Sequence, residues 1–156
     1  MENRRKLHDW GIALIIIGIL NVFVFVGTIV ASMVDGSLAA SLANVEPDII
    51  VAVKVVLGIV CAFFGLLVVA DVLLGVKALK VSKTPDASKG YIVIAQIFLI
   101  MSCIATISNS ITVFIGGPST VDACLNVANS TLNVCIYTLF VTAAKAVRKD
   151  VLDEKK

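Results

Sequence analysis

Four long blocks of apolar residues fill the chain between Gly11 and Ala146, and the breaks between them together with the two chain ends hold most of its charged side chains. A helix needs about 20 apolar residues to cross the hydrocarbon core of a bilayer. Measured against that length, the blocks predict spanning helices at roughly 11–33, 49–79, 90–115 and 120–146, with 1–10 and 147–156 left as tails. The four spans nearly exhaust the 156 residues, so a single transmembrane domain is expected, with its chemistry inside the helices or in their short connections.

The breaks carry helix-end signals. Pro47 and Pro85 stand where a first helical position tolerates a missing N–H, and Thr84 is placed to cap the third helix. Gly116-Gly117-Pro118 predicts a tight turn, and Ser119 three residues before Asp122 has the capping-box spacing that opens a helix. Short connections favour antiparallel neighbours. The predicted fold is all-α, an integral membrane four-helix bundle of two transmembrane hairpins with crossings of about +20°.

Polar positions inside the blocks add a second pattern. On the fourth helix Asp122, Asn126, Asn129, Asn133 and Tyr137 recur at spacings of four, three, four and four, which places them on one face. Asn133 lies roughly 16 Å along the axis from Asp122, so the stripe reaches from one surface to about mid-bilayer. The third helix offers Gln96, Thr106 and Ser110 along one side, with Asn109 close by, and the first offers Asn21 and Thr28, seven apart. Lipid cannot satisfy an amide, so the stripe must face protein or water. Two readings stay open: interhelical contacts worth about 0.6 kcal/mol each, or a wet path opening at one surface.

Two charges lie inside the blocks well away from the block ends. Asp71 sits roughly 9 Å inside the end marked by Lys77 and is the candidate ion- or solute-coupling group; the plainer reading pairs it with a base at the rim, such as Lys145 or the Arg4-Arg5-Lys6 cluster. Lys54 lies about 10 Å beyond Pro47, within reach of the headgroups by snorkelling. Some 25 Å of helix separates it from Asp71, too far to pair. Beside Lys54, the strip Gly58, Cys61, Ala62 and Gly65 is expected to be a close-packing face.

Composition confirms the solvent: 59% of residues are hydrophobic and only 15% are charged, with a mean hydropathy of +1.03. Charge placement then orients the spans. Arg4, Arg5 and Lys6 precede the first; Lys77, Lys80, Lys83 and Lys89 flank the second break; Lys145, Arg148, Lys149, Lys155 and Lys156 follow the fourth. The connections Val34 to Asp48 and Gly116 to Thr120 hold no Lys or Arg. The positive-inside rule therefore puts both termini in the cytoplasm, with a plasma or cytoplasmic membrane as the expected location. Trp10 and Tyr91 fall at the matching ends, where amphipathic rings favour the headgroup layer. Arg4-Arg5-Lys6 before an apolar run also resembles the start of a secretory signal, but the run exceeds the about 7–15 residues of such a segment, so the first span is expected to be retained.

Catalytic chemistry finds no residues to carry it. The cysteines at 61, 103, 124 and 135 form no C-x-x-C pair, and His8 is the one histidine, which leaves no haem or zinc ligand set. Gly-x-Ser-x-Gly elbows, phosphate loops and dinucleotide fingerprints are missing from the sequence. Asn129-Ser130-Thr131 fits the glycosylation pattern, but its depth in a span excludes a transferase. The expectation is a non-enzymatic protein without cofactor or metal, partnered by the lipid bilayer and by copies of itself or another membrane protein, and not by nucleic acid. It would act by association, as a homo-oligomer or as an accessory subunit of a membrane complex. The alternative is a small oligomeric transporter or channel using Asp71 and the Asn126, Asn129, Asn133 stripe.

Overall fold

A computed structural model describes residues 2–34, 47–86, 88–115 and 120–154. Its regular elements are four helices, α1 (Glu2–Val34), α2 (Pro47–Lys83), α3 (Gly90–Ile115) and α4 (Thr120–Asp153). All four are long and apolar enough to cross a membrane. The predicted third span coincides with α3, and Pro47 opens α2 as its fixed φ and missing N–H allow.

The other boundaries differ from the apolar runs for identifiable reasons. α1 begins at Glu2 and α4 continues to Asp153, so the stretches expected as tails are helical extensions of the spans. Glu2 and Lys6 form an i,i+4 ion pair at 2.6 Å on the first of these. More decisively, Leu7, Val147 and Val151 are buried, so apolar packing carries the helices on into the charged region. The cap expected at Thr84 and Pro85 is not where α3 starts. Thr84 instead closes α2, its N–H and hydroxyl both donating to the Lys80 carbonyl at 2.9 and 3.1 Å. Asp86 turns the connection by accepting the Ser88 N–H at 2.9 Å and the Lys77 ammonium at 2.9 Å, and α3 starts at Gly90. Gly116-Gly117-Pro118, Ser119 and the side chains of Thr28, Asp48 and Asp122 lie outside the described residues.

The chain divides into two compact units. The first comprises residues 1–14 and 74–156 and contains the main core. Phe140, Leu7, Leu14, Val81 and Val147 are its largest fully enclosed side chains, and the Tyr91 ring meets Phe140 edge-on at 6.3 Å. The Tyr91 ring is buried in this core, and its hydroxyl has no hydrogen-bond partner among the described residues. Polar contacts tie the chain ends together: the Asn3 amide donates to Asp150 at 3.0 Å and Arg4 lies 3.5 Å from Glu154. Within this unit α1 and α2 approach closely at Gly11, where a Cβ would stand 2.9 Å from Ala78 Cβ and 3.1 Å from the Gly75 carbonyl.

The second unit comprises residues 15–73, parts of α1 and α2. Gly18 is its point of close approach: a Cβ there would stand 3.2 Å from Asp71 Cβ. Phe25 and Phe64 stack with centroids 4.2 Å apart. Gly58 and Gly65, expected on a close-packing face, meet nothing within 4 Å. The glycines that let these helices approach are Gly11 and Gly18, themselves seven apart on one face of α1.

Candidate functional site

α3 and α4 lie side by side, and their polar residues divide into hydroxyls satisfied locally and amides that are not. Thr106 donates to the Ser102 carbonyl at 2.8 Å, Ser110 to Thr106 at 2.8 Å and Thr112 to Ser108 at 3.1 Å. Each bonds one turn back along its own helix, which removes the cost of burying a hydroxyl without engaging a neighbour. Thr138 and Thr142 do the same on α4, at 2.7 and 2.8 Å. Among the described residues these α3 hydroxyls therefore donate within their own helix and not to the α4 amides.

One polar junction does join the two helices. The Asn109 amide donates to the Asn126 carbonyl and to Ser130 Oγ, both at 3.4 Å, and Ser130 Oγ donates to the Asn126 carbonyl at 2.8 Å. Ser130 is buried, at 6% exposure. Distances of 3.4 Å are long for N–H···O bonds, so this contact aligns the helices more than it binds them. Ser130 is a residue of this junction that the sequence pattern did not single out. Its signal was present in the spacing, since Ser130 and Tyr137 are seven apart and share a face.

The remaining stripe residues take different environments. Tyr137 is buried with its ring 5.9 Å from Phe98, and Asn133 is half-buried. Asn126 and Asn129 are exposed. By register Asn129 and Asn133 continue the face of α4 that is buried further along as Ile136, Phe140 and Val147. The core-facing stripe therefore changes from apolar and covered to amide-bearing and open within one helix. Gln96 and Asn21 are half-buried.

Both charges inside the spans are described. Asp71 is buried at 8% exposure, opposite Gly18, whose missing side chain leaves room for the carboxyl-bearing Cβ. Lys54 is exposed on a stretch of α2 where Ile49, Val51, Val55 and Val56 are exposed as well. The structure thus brings Asn109, the Asn126 backbone and Ser130 together. Compared with known proteins, the chain matches no family model, no curated protein and no solved structure.

Proposed function

We propose that this chain is a small multi-pass protein of the plasma or cytoplasmic membrane, a bundle of two antiparallel transmembrane hairpins with both termini cytoplasmic. It works by association, as a homo-oligomer or as an accessory subunit of a membrane complex, and without enzymatic activity. The membrane reading is supported by how much apolar surface the helices expose: Phe114 is 89%, Ile115 79% and Phe23 70% accessible. Side chains of that size in water would each forfeit about 1.5–3 kcal/mol.

The observation that carries the association reading is the open amide face of α4. Asn126 and Asn129 are exposed on a helix apolar enough to span. Hydrocarbon offers no hydrogen bonds, so an amide at that depth needs a polar neighbour. A facing chain supplies one, at an average gain of about 0.6 kcal/mol per contact. Water entering the same face is the second reading, and the buried Asp71 carboxyl is what favours it.

Purification in mild detergent, with light scattering and mass spectrometry of co-purifying proteins, separates these outcomes. Association predicts a defined oligomer or a stoichiometric partner, lost in the Asn126→Leu, Asn129→Leu double variant. Ion or solute flux in reconstituted vesicles that disappears in Asp71→Asn while assembly persists would replace association by transport. A monomer with neither partner nor flux contradicts both.

A further inference from the structure

A groove of about 440 Å³ runs between the first turns of α1 and the last turns of α4, within the first compact unit. Leu139, Ala143 and Ala146 form an apolar floor, Trp10 a wall, and Lys6 and Asp9 stand at the rim. We propose that this groove holds one membrane phospholipid whose headgroup carries a primary ammonium, with its phosphate on Lys6 and its ammonium on Asp9. The proposal rests on the membrane reading above.

Three features select that ligand. First, the depths match a headgroup layer. A bilayer's polar layer is about 5–7 Å thick on each side, and Lys6 stands four residues, about 6 Å, beyond Trp10 along the axis. Trp10 is half-buried, as an indole at the edge of the hydrocarbon should be. Second, the floor is made of Leu139, Ala143 and Ala146, with the Thr142 hydroxyl satisfied by its own helix, over seven helical steps of α4, about 10 Å, enough for the first carbons of an acyl chain.

Third, the rim carries one charge of each sign. Lys6 and Asp9 are three apart on α1, so they are surface neighbours, and helical side chains lean toward the N-terminus, which here points them away from the apolar floor. Their side chains are 57% and 62% exposed. Lys6 is occupied by Glu2, an exposed i,i+4 pair of the kind that exchanges readily for a phosphate. Asp9 uses Oδ1 for His8 at 3.2 Å. Its other oxygen is the acceptor assigned to the ammonium, and Trp10, which lines the same groove, adds an indole that also attracts cations. A purely anionic lipid would satisfy Lys6 but set its charge against Asp9.

Native mass spectrometry of the full chain, delipidated and then offered equal amounts of phosphatidylethanolamine and phosphatidylglycerol, tests the assignment. The wild type should retain phosphatidylethanolamine about fivefold over phosphatidylglycerol, the scale of one interfacial charge pair. Asp9→Asn should abolish the preference, Asp9→Lys should reverse it, and Lys6→Gln should weaken both lipids, with helicity unchanged by circular dichroism. Equal retention by the wild type, or an unchanged preference in Asp9→Lys, overturns the site while leaving the membrane reading standing. A wild-type chain that stays a monomer in buffer without detergent overturns both.

Discussion

Replacing Gly11 by alanine is the sharpest probe of how the helices are held. The added Cβ would stand 2.9 Å from Ala78 Cβ and 3.1 Å from the Gly75 carbonyl, neither of them the end of a flexible side chain. Carbon atoms in contact prefer about 3.5–4.0 Å, so α1 and α2 must separate there by at least about 0.6 Å. Overpacking of that kind costs about 1–3 kcal/mol. The same substitution gains about 0.8–1.0 kcal/mol of helix propensity, which leaves a net loss of about 0–2 kcal/mol. Gly27 supplies the control, because a Cβ there meets nothing within 4 Å. The propensity gain is common to both variants, so their difference isolates the contact at about 1–3 kcal/mol. Gly18→Ala should fall between them, as its Cβ would stand 3.2 Å from Asp71 Cβ. Unfolding by dodecyl sulfate in mixed micelles, followed by circular dichroism, reads the order. Equal midpoints for Gly11→Ala and Gly27→Ala would refute the close approach.

Tyr91→Phe removes a buried hydroxyl that has no partner among the described residues. It should raise stability by about 1 kcal/mol in the same assay, whereas a loss of that size would reveal a bound water or a missed acceptor. Phe140→Ala opens a cavity at a side chain with 0% exposure and should cost about 3–5 kcal/mol, enough to prevent accumulation in the membrane. The hydrogen bond from Lys77 holds the Asp86 carboxyl below its ordinary value, against the opposing effect of partial burial. That contribution is fully present above the unfolded value of about 3.9 and is lost as pH falls through the lowered folded one. Solvent screening keeps it within about 0–1 kcal/mol. Acid titration of the unfolding midpoint should show a small drop that Asp86→Asn flattens.

Helix number and the third span could be read from the sequence because lipid-length apolar runs have few alternative explanations. Pro47 marked a true start for the same reason that any N-terminal proline does, its missing N–H. The ends of α1 and α4 could not be read from hydropathy, because Leu7, Val147 and Val151 are buried by packing among charged neighbours. Thr84 misled since one hydroxyl can accept from the first N–H groups of the helix ahead or donate to the last carbonyls of the helix behind, and here it donates to the Lys80 carbonyl. Small residues show the limit most clearly. Gly58 and Gly65 are seven apart just as Gly11 and Gly18 are, yet a Cβ would meet a neighbouring helix at Gly11 and Gly18 and nothing within 4 Å at Gly58 and Gly65, because spacing fixes a face without fixing what lies opposite. In the stripe, periodicity gave the shared side of Asn126, Asn129, Asn133 and Tyr137. Their burial depends on where the core stops, and that is tertiary information.

Side-specific thiol labelling tests the central claim most directly. In a background with the four native cysteines replaced, Ser119→Cys and Ser88→Cys mark the connections on either side of α3. Four membrane crossings with cytoplasmic termini predict that an impermeant maleimide added to intact cells modifies Ser119→Cys at once and Ser88→Cys only after permeabilisation. Equal reactivity of both positions in intact cells, or of neither until the cells are opened, would contradict the account.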